Sequence, residues 1–124
     1  MTDLLALIIE DEPDLADIFS EAMRSAGFQA ETVNRGDVAQ RRLRELVPAI
    51  IVLDLHLPGV DGSHLLEQIA GDARLKNTKI IVATADHIMS TALPMKPDLV
   101  LLKPISFSQL RDLSVRLRQI IQPS

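Results

Sequence analysis

The chain has 124 residues, a length that fits one compact domain and leaves little room for a second. Apolar residues make up 47% of it and charged residues 24%, which excludes a disordered or fibrous protein and allows a sizeable core. The net charge of −4 disfavours a protein that binds nucleic acid by neutralising phosphates, and the lack of cysteine excludes disulfides and thiolate chemistry.

The amino-terminal sequence carries no recognisable targeting or membrane signal. Residues 1–4 contain no basic region and no long apolar segment. Further along, no apolar stretch approaches the roughly 18 to 20 residues that are needed to cross a bilayer. The sequence therefore predicts a cytoplasmic protein with no membrane partner and no direct contact with nucleic acid.

Short apolar runs predict the strands. The first run ends abruptly in Glu10 and Asp11, which is typical of a buried strand that leads into an acidic loop. Four further runs follow, the first of them, residues 28–33, weaker and alternating. The predicted strands are residues 4–9, 28–33, 50–53, 79–83 and 99–102.

Segments with helical spacing separate these strands. The first three predicted helices are residues 14–26, 37–47 and 62–70, each closed by glycine or proline. A last helix follows Ser106, which forms a capping box with Gln109, and ends before Pro123. Between the fourth and fifth strands, Pro94 and Pro97 confine any helix to about residues 86–93, so a fourth helix there should be short, irregular or missing.

Alternation of strands and helices predicts the architecture. Parallel strands need crossover connections, so we expect a flavodoxin-like, doubly wound, five-stranded parallel sheet in the order 2-1-3-4-5, with helices on both faces. We expect one domain over residues 1–124 and no output domain. In such a sheet the ligand crevice lies beyond the carboxyl ends of the first and third strands.

Five polar residues stand at the ends of predicted strands and would share that edge. They are Glu10, Asp11, Asp54, Thr84 and Lys103. Each alone has a structural explanation, because loops are polar and an acid after a strand often caps the next helix. Like charges about 4 Å apart repel by roughly 4 kcal/mol at an effective dielectric of 20, so the acidic cluster needs protonation or a cation. Oxygen ligands favour Mg²⁺.

Lys103 and Thr84 add the positive charge and the hydroxyl donor that binding an anion requires. An ammonium and a hydroxyl, together with a metal, can each bind one oxygen of a phosphoryl group while Asp54 attacks in line. The residues themselves thus predict a phosphoryl site. The histidines at 56, 64 and 87 lack metal-ligand spacing, and we expect their side chains in loops or on the surface.

With these residues in place, the sequence resembles the receiver domains of bacterial two-component response regulators, including the chemotaxis-regulator type. The resemblance covers the whole chain. Its four ordered motifs are residues 7–13 (LIIEDEP), 52–62 (VLDLHLPGVDG), 83–85 (ATA) and 102–104 (LKP).

The resemblance implies a role for each strand-end residue. Asp54 would be the phosphorylated nucleophile and a metal ligand, with Asp11 binding Mg²⁺ directly and Glu10 directly or through water. His56 would offer its backbone carbonyl to the metal. Thr84 would move toward the phosphoryl group, Lys103 would pair with it, and the Lys103–Pro104 peptide bond would be cis.

Two positions depart from the family pattern. Glu10 stands where many members have aspartate, and its extra methylene lengthens its reach toward the metal. Val100 stands at the switch position, three residues before Lys103, where the family usually carries an aromatic residue that swings inward on phosphorylation. The chain has no tyrosine and no tryptophan. The coupling of Thr84 to an aromatic switch cannot operate in its common form, and we expect an unconventional output surface.

The leading hypothesis is a response-regulator receiver that takes a phosphoryl group onto Asp54 from a sensor histidine kinase or a histidine phosphotransfer protein, with Mg²⁺. Such a protein is not an enzyme in the usual sense, because it catalyses only its own phosphorylation and slow dephosphorylation. The alternative is a pseudo-receiver that docks partners without phosphorylation. A phosphohydrolase is a third reading, disfavoured because no second carboxylate lies two residues after Asp54. Homodimerisation and the downstream partner stay open.

Overall fold

Strands and helices alternate in a computed structural model of the chain, which describes residues 4–123. The strands are β1 (Leu5–Ile9), β2 (Gln29–Val33), β3 (Ile50–Leu53), β4 (Lys79–Thr84) and β5 (Leu99–Leu102). The α-helices are α1 (Pro13–Ser25), α2 (Gly36–Glu45), α3 (Gly62–Ala70) and α4 (Phe107–Ile121). Short 3-10 helices cover Ala73–Leu75 and Met89–Thr91.

All strand pairs are parallel, and the sheet order is β2-β1-β3-β4-β5. The predicted flavodoxin-like fold is thus confirmed. The register fixes which strand ends meet. Ile9 pairs with Leu53, so Glu10 and Asp54 leave the sheet side by side, and Thr84 pairs with Leu102, immediately before Lys103.

Each face of the sheet carries its own apolar core. Successive residues of a strand point to opposite faces, so Ala6 and Ile8 enter one core while Leu7 and Ile9 enter the other. Helices α1 and α4 cover the first core, and α2 and α3 cover the second. With both faces covered, β3 is buried along its whole length and β1 and β4 are buried after their first residue, which explains their apolar sequences.

The prediction that no regular helix forms between β4 and β5 is confirmed. Only the three-residue turn Met89–Thr91 is helical there. Leu99 and Leu101 pack into the first core, whereas Val100 and Leu102, on the opposite face of β5, stay 38% and 44% exposed. The short connection leaves this face of the edge strand largely uncovered.

The predicted boundaries of β3, β5 and α3 are confirmed, and those of the other elements differ by one or two residues. Helix α1 begins at Pro13, because an amide hydrogen at the first helical position would have no partner in the helix and proline lacks one. Helix α2 ends at Glu45 because Leu46 is already extended, at φ −118° and ψ 154°. Strand β4 reaches Thr84, so this hydroxyl belongs to the end of a strand.

Candidate functional site

The three predicted acidic ligands meet at the carboxyl ends of β1 and β3. Carboxylate oxygens of Glu10, Asp11 and Asp54 lie within 4.8 Å of one another. Glu10 is only 1% exposed and Asp54 6%, whereas Asp11 is open to solvent. Two buried acids and one exposed acid therefore form a negatively charged site with access from outside.

Lys103 partly neutralises this cluster. Its Nζ lies 2.7 Å from Glu10 Oε1 and donates a hydrogen bond to Asp54 Oδ2 at 3.2 Å. Burial raises the pKa of Glu10, the negative charge of Asp54 raises it further, and Lys103 offsets part of that rise. Burial alone would lower the pKa of Lys103, but its contacts with Glu10 and Asp54 outweigh burial and raise it. Lys103 is therefore held as a cation between two acids.

Backbone amides hold the carboxylates in place. The Asp54 amide donates to the Ile9 carbonyl at 3.0 Å, which ties the end of β3 to β1. The His56 amide donates to Asp54 Oδ1 at 3.2 Å, and the Glu12 amide donates to Glu10 Oε2 at 3.2 Å. Both acids are thereby oriented before any ligand arrives.

Thr84 is fully buried at the end of β4, and the Asp86 amide donates to its Oγ1 at 3.0 Å. Because the amide supplies the proton of that bond, the Thr84 hydroxyl can still donate its own proton to an anion. The Lys103 amide donates to the Thr84 carbonyl at 2.8 Å. The Lys103–Pro104 peptide bond is cis, as predicted. Thr84 and Lys103 thus stand at the ends of neighbouring strands, Thr84 as the last residue of β4 and Lys103 directly after β5.

The loop after Asp54 turns tightly between β3 and α3. Gly59 adopts φ +84°, a left-handed conformation that favours glycine. At Gly62 a Cβ atom would lie 2.6 Å from both the Asp54 carbonyl oxygen and the Leu55 Cα. The start of α3 can approach the end of β3 this closely only because that side chain is absent.

The residues present fit Mg²⁺ on two grounds. Glu10 Oε1 is buried with no donor aligned for a hydrogen bond, although it forms an ion pair with Lys103. Carboxylate oxygens are the only donors in the three-residue cluster, which suits a hard divalent cation. Glu10, Asp11 and Asp54 would hold such an ion. Binding of the ion by the backbone carbonyl of His56, two residues after Asp54, stays a prediction.

Strand β5 contains no aromatic residue that could take the place of the one the family usually has at the switch position, Val100. Val100 pairs with Val82, two residues before Thr84 on the neighbouring strand, so both positions lie on the face that bears Thr84. At 38% exposure Val100 already faces solvent. Its role as a switch stays a prediction.

The sequence interpretation missed Asp86 and the side chain of His56. His56 Nε2 lies 2.8 Å from Asp86 Oδ2, and the Met89 amide donates to Asp86 Oδ1 at 2.8 Å. The second contact had a signal in the sequence, since an aspartate often accepts from the amide three residues on at the start of a helical turn. The first joins residues 30 positions apart and had none.

Comparison with known proteins assigns the class. Residues 6–114 match the family model described as the response regulator receiver domain. The chain therefore belongs to the receiver-domain family, whose members are signalling modules that act between histidine kinases and downstream effectors.

Individual relatives agree with this assignment. PhoB, the phosphate regulon transcriptional regulatory protein of Rhizobium meliloti, is 35% identical over 78 residues, or 63% of this chain and 34% of that protein. A CheY-like receiver domain from Methylobacillus flagellatus superposes with a TM-score of 0.77 at 26% identity, covering 94% of this chain and 99% of its own. The chain spans about a third to a half of the length of the curated relatives it matches.

A third structure contains a metal ion. The receiver domain of a sensor histidine kinase from Pseudomonas aeruginosa has magnesium coordinated in its active-site cleft. It superposes with a TM-score of 0.81 at 24% identity, covering 94% of this chain and 98% of its own. At this identity the likeness concerns the fold.

In the chain itself, no helix within residues 4–123 combines the length and apolar character that crossing a membrane requires.

Proposed function

We propose that the chain is a phospho-accepting receiver in which Asp54 takes a phosphoryl group from a sensor histidine kinase or a histidine phosphotransfer protein in the cytoplasm. The observation that carries this proposal is the arrangement around Asp54. A buried carboxylate lies 3.2 Å from the Lys103 ammonium, within 4.8 Å of two further acids, and beside the hydroxyl-bearing end of β4.

The chain's own residues supply most of the chemistry. One Asp54 oxygen attacks phosphorus as the bond between phosphorus and the leaving group breaks. When the donor is a phosphohistidine, the leaving group is its imidazole, whose nitrogen takes a proton from solvent. When the donor is acetyl phosphate, the leaving group is acetate. Lys103 and the Thr84 hydroxyl then bind phosphoryl oxygens, on which negative charge is spread.

Mg²⁺ is the cofactor we propose, held by Glu10, Asp11 and Asp54 together with the backbone carbonyl of His56. When bound, it would offset the negative charge of the acids and of the phosphoryl oxygens. The extra methylene of Glu10 places a buried carboxylate against Lys103, so this acid serves the ammonium as well as the metal.

Phosphorylation would shift a conformational equilibrium, and hydrolysis of the acyl phosphate would reset it. The chemistry belongs to one residue and completes a single slow cycle, so the protein acts as a switch and turns over no separate substrate. The downstream partner would be a protein, reached directly or through a homodimer.

A second candidate is a pseudo-receiver that docks a partner without phosphorylation. Val100 in place of an aromatic residue and the three-residue turn at Met89–Thr91 favour it, since both alter the usual route to the output surface. The contacts between Lys103, Glu10 and Asp54 favour phosphorylation, because a docking module has no need to bury two acids against one ammonium.

Intact mass spectrometry after incubation with acetyl phosphate and Mg²⁺ distinguishes the two. A phospho-accepting receiver gains the mass of one phosphoryl group, and the gain disappears in Asp54→Asn and in wild type with EDTA. No gain in the wild type, or a gain that survives Asp54→Asn, would leave the pseudo-receiver as the better account.

A further inference from the structure

Asp86 connects the phosphoryl site to a surface turn, in a region where the family's aromatic switch is missing. Its amide donates to Thr84 Oγ1, and its carboxylate contacts both the His56 ring and the Met89 amide. The His56 amide in turn donates to Asp54 Oδ1. A continuous chain of hydrogen bonds therefore runs from the Asp54 carboxylate to the Met89–Thr91 turn.

The ring contact holds two loops together. His56 follows β3, and Asp86 follows β4. Because a carboxylate only accepts hydrogen bonds, the ring Nε2 must donate in this contact. The hydrogen bond from Met89, and next to it the one from His56, lower the pKa of Asp86, which keeps this group an anion that favours both donors.

The turn held by Asp86 carries an exposed apolar side chain. Ile88, directly before the 3-10 helix, is 80% exposed. The turn is also held by the Ser90 and Thr91 hydroxyls, which donate to the carbonyls of His87 and Ile88, and by short-range amide bonds within residues 86–92. In addition, the Met89 side chain packs against the second core. Among these contacts, those of Asp86 alone reach out of the turn to the phosphoryl site.

We propose that Asp86 is a positioning residue whose contact with His56 holds the 86–91 turn in its resting place, and that a phosphoryl group at Asp54 releases the turn through Thr84 and His56. This inference rests on the proposed function. Moving the Thr84 side chain toward a phosphoryl group would carry Oγ1 away from the Asp86 amide, and a shift of His56 with Asp54 would pull its ring away from the Asp86 carboxylate. Both changes converge on one residue, and the turn bearing Ile88 moves with it.

Amide hydrogen exchange measured residue by residue by NMR tests the proposal, with and without beryllofluoride and Mg²⁺ as a phosphoryl mimic. In the wild type, the mimic should speed exchange of the Met89 amide by about threefold to tenfold, the range expected for the loss of one net hydrogen bond. Asp86→Ala and His56→Gln should show this faster exchange already without the mimic, so the mimic should add little. Exchange is compared at saturating mimic, so that a difference in affinity does not enter.

The matched control is His87→Gln, because His87 lies in the same segment and its side chain is exposed. It should behave as the wild type does. A contact that is merely structural would speed exchange in Asp86→Ala and His56→Gln and leave the mimic-induced ratio at its wild-type value, which would overturn the proposal. Should Asp86→Ala fail to fold, His56→Gln alone decides.

Failure of the proposed function gives a different pattern. Wild type that neither binds the mimic nor gains a phosphoryl group from acetyl phosphate would overturn both proposals together. Wild type that binds the mimic without any change in exchange over residues 86–92 would overturn the role of Asp86 alone.

Discussion

At the scale of single residues, the site holds more negative charge than the fold neutralises. One ammonium, Lys103, serves two buried acids, and Asp11 adds a third carboxylate at the surface. Burial of Glu10 and, to a lesser extent, its repulsion by Asp54 cost stability, and both raise the pKa of Glu10. The arrangement becomes favourable when a cation and an anion enter together, which is what phosphoryl transfer requires.

The close approach of Gly62 to Asp54 gives a test at this scale. In Gly62→Ala, the new Cβ would lie 2.6 Å from the Asp54 carbonyl oxygen, so backbone must shift. We expect the free energy of unfolding to fall by about 1 to 3 kcal/mol, the usual cost of overpacking. Because the shift falls on Asp54 itself, phosphorylation by acetyl phosphate should slow as well. Urea unfolding and intact mass measure the two effects.

Gly71, at the other end of α3, provides the matched control. It has φ −84° and ψ 0°, a conformation open to any residue, and a Cβ there would meet the Glu67 carbonyl at an ordinary 3.5 Å. Gly71→Ala should raise the free energy of unfolding by about 0.4 to 1 kcal/mol, because alanine reduces the conformational entropy of the unfolded chain. Equal effects of the two substitutions would contradict the importance of the close approach.

At the scale of elements, the sequence allowed the strands, their order and the strand-end residues to be predicted, because buried parallel strands are unbroken apolar runs whose carboxyl ends share one edge. Contacts between distant elements could not be read in the same way. The bond of His56 to Asp86 depends on how two loops fold. Likewise, Arg42 pairs with Glu31, 11 positions away, at 2.8 Å from its carboxylate.

This ion pair ties α2 to β2 and gives a pH prediction. The hydrogen bond from Arg42 lowers the pKa of Glu31 below its usual 4.5, so the pair stabilises the fold above that pH and loses its effect as pH falls through the lower folded value. Glu31→Gln, which keeps the size, should cost less than about 1 kcal/mol at neutral pH, since the pair is partly exposed and screened.

Urea unfolding of the wild type and Glu31→Gln at decreasing pH checks the sign. The difference between the two proteins should shrink as the wild-type carboxylate becomes protonated, and at neutral pH it should also shrink in high salt. A difference that grows on acidification would contradict the assignment of the pKa shift to Arg42.

At the scale of the whole molecule, metal binding should appear as added stability, because the ligands come from the ends of two different strands. Mg²⁺ at ten times its dissociation constant should add about 1.4 kcal/mol to the free energy of unfolding. That corresponds to a rise in Tm of about 5 °C for a domain of this size. Differential scanning calorimetry measures it.

Asp11→Asn should lose this Mg²⁺ effect, since it removes the exposed ligand, whereas Asp112→Asn removes the same charge from α4 and should keep it. An equal shift in all three proteins would mean that Mg²⁺ acts through general charge screening and has no site at Glu10, Asp11 and Asp54.

The carboxyl ends of β1 and β3 hold the three acids, and the ends of β4 and β5 hold Thr84 and Lys103, so the proposed chemistry would depend on one edge of one sheet. Receiver domains pass a signal to an effector, and under the proposal the exposed face of β5 and the short 86–91 turn would replace the usual helical surface in this chain. The central claim is that this signal begins at Asp54.

Reduction with borohydride after phosphorylation locates the phosphoryl group most directly, because an acyl phosphate is reduced to an alcohol while a free carboxylate is not. The tryptic peptide spanning residues 45–74 contains Asp54 together with four other acids, and fragmentation of it assigns the reduced position. The account predicts homoserine at position 54, dependent on Mg²⁺ and acetyl phosphate. Reduction at another acid, with Asp54 intact, would contradict it.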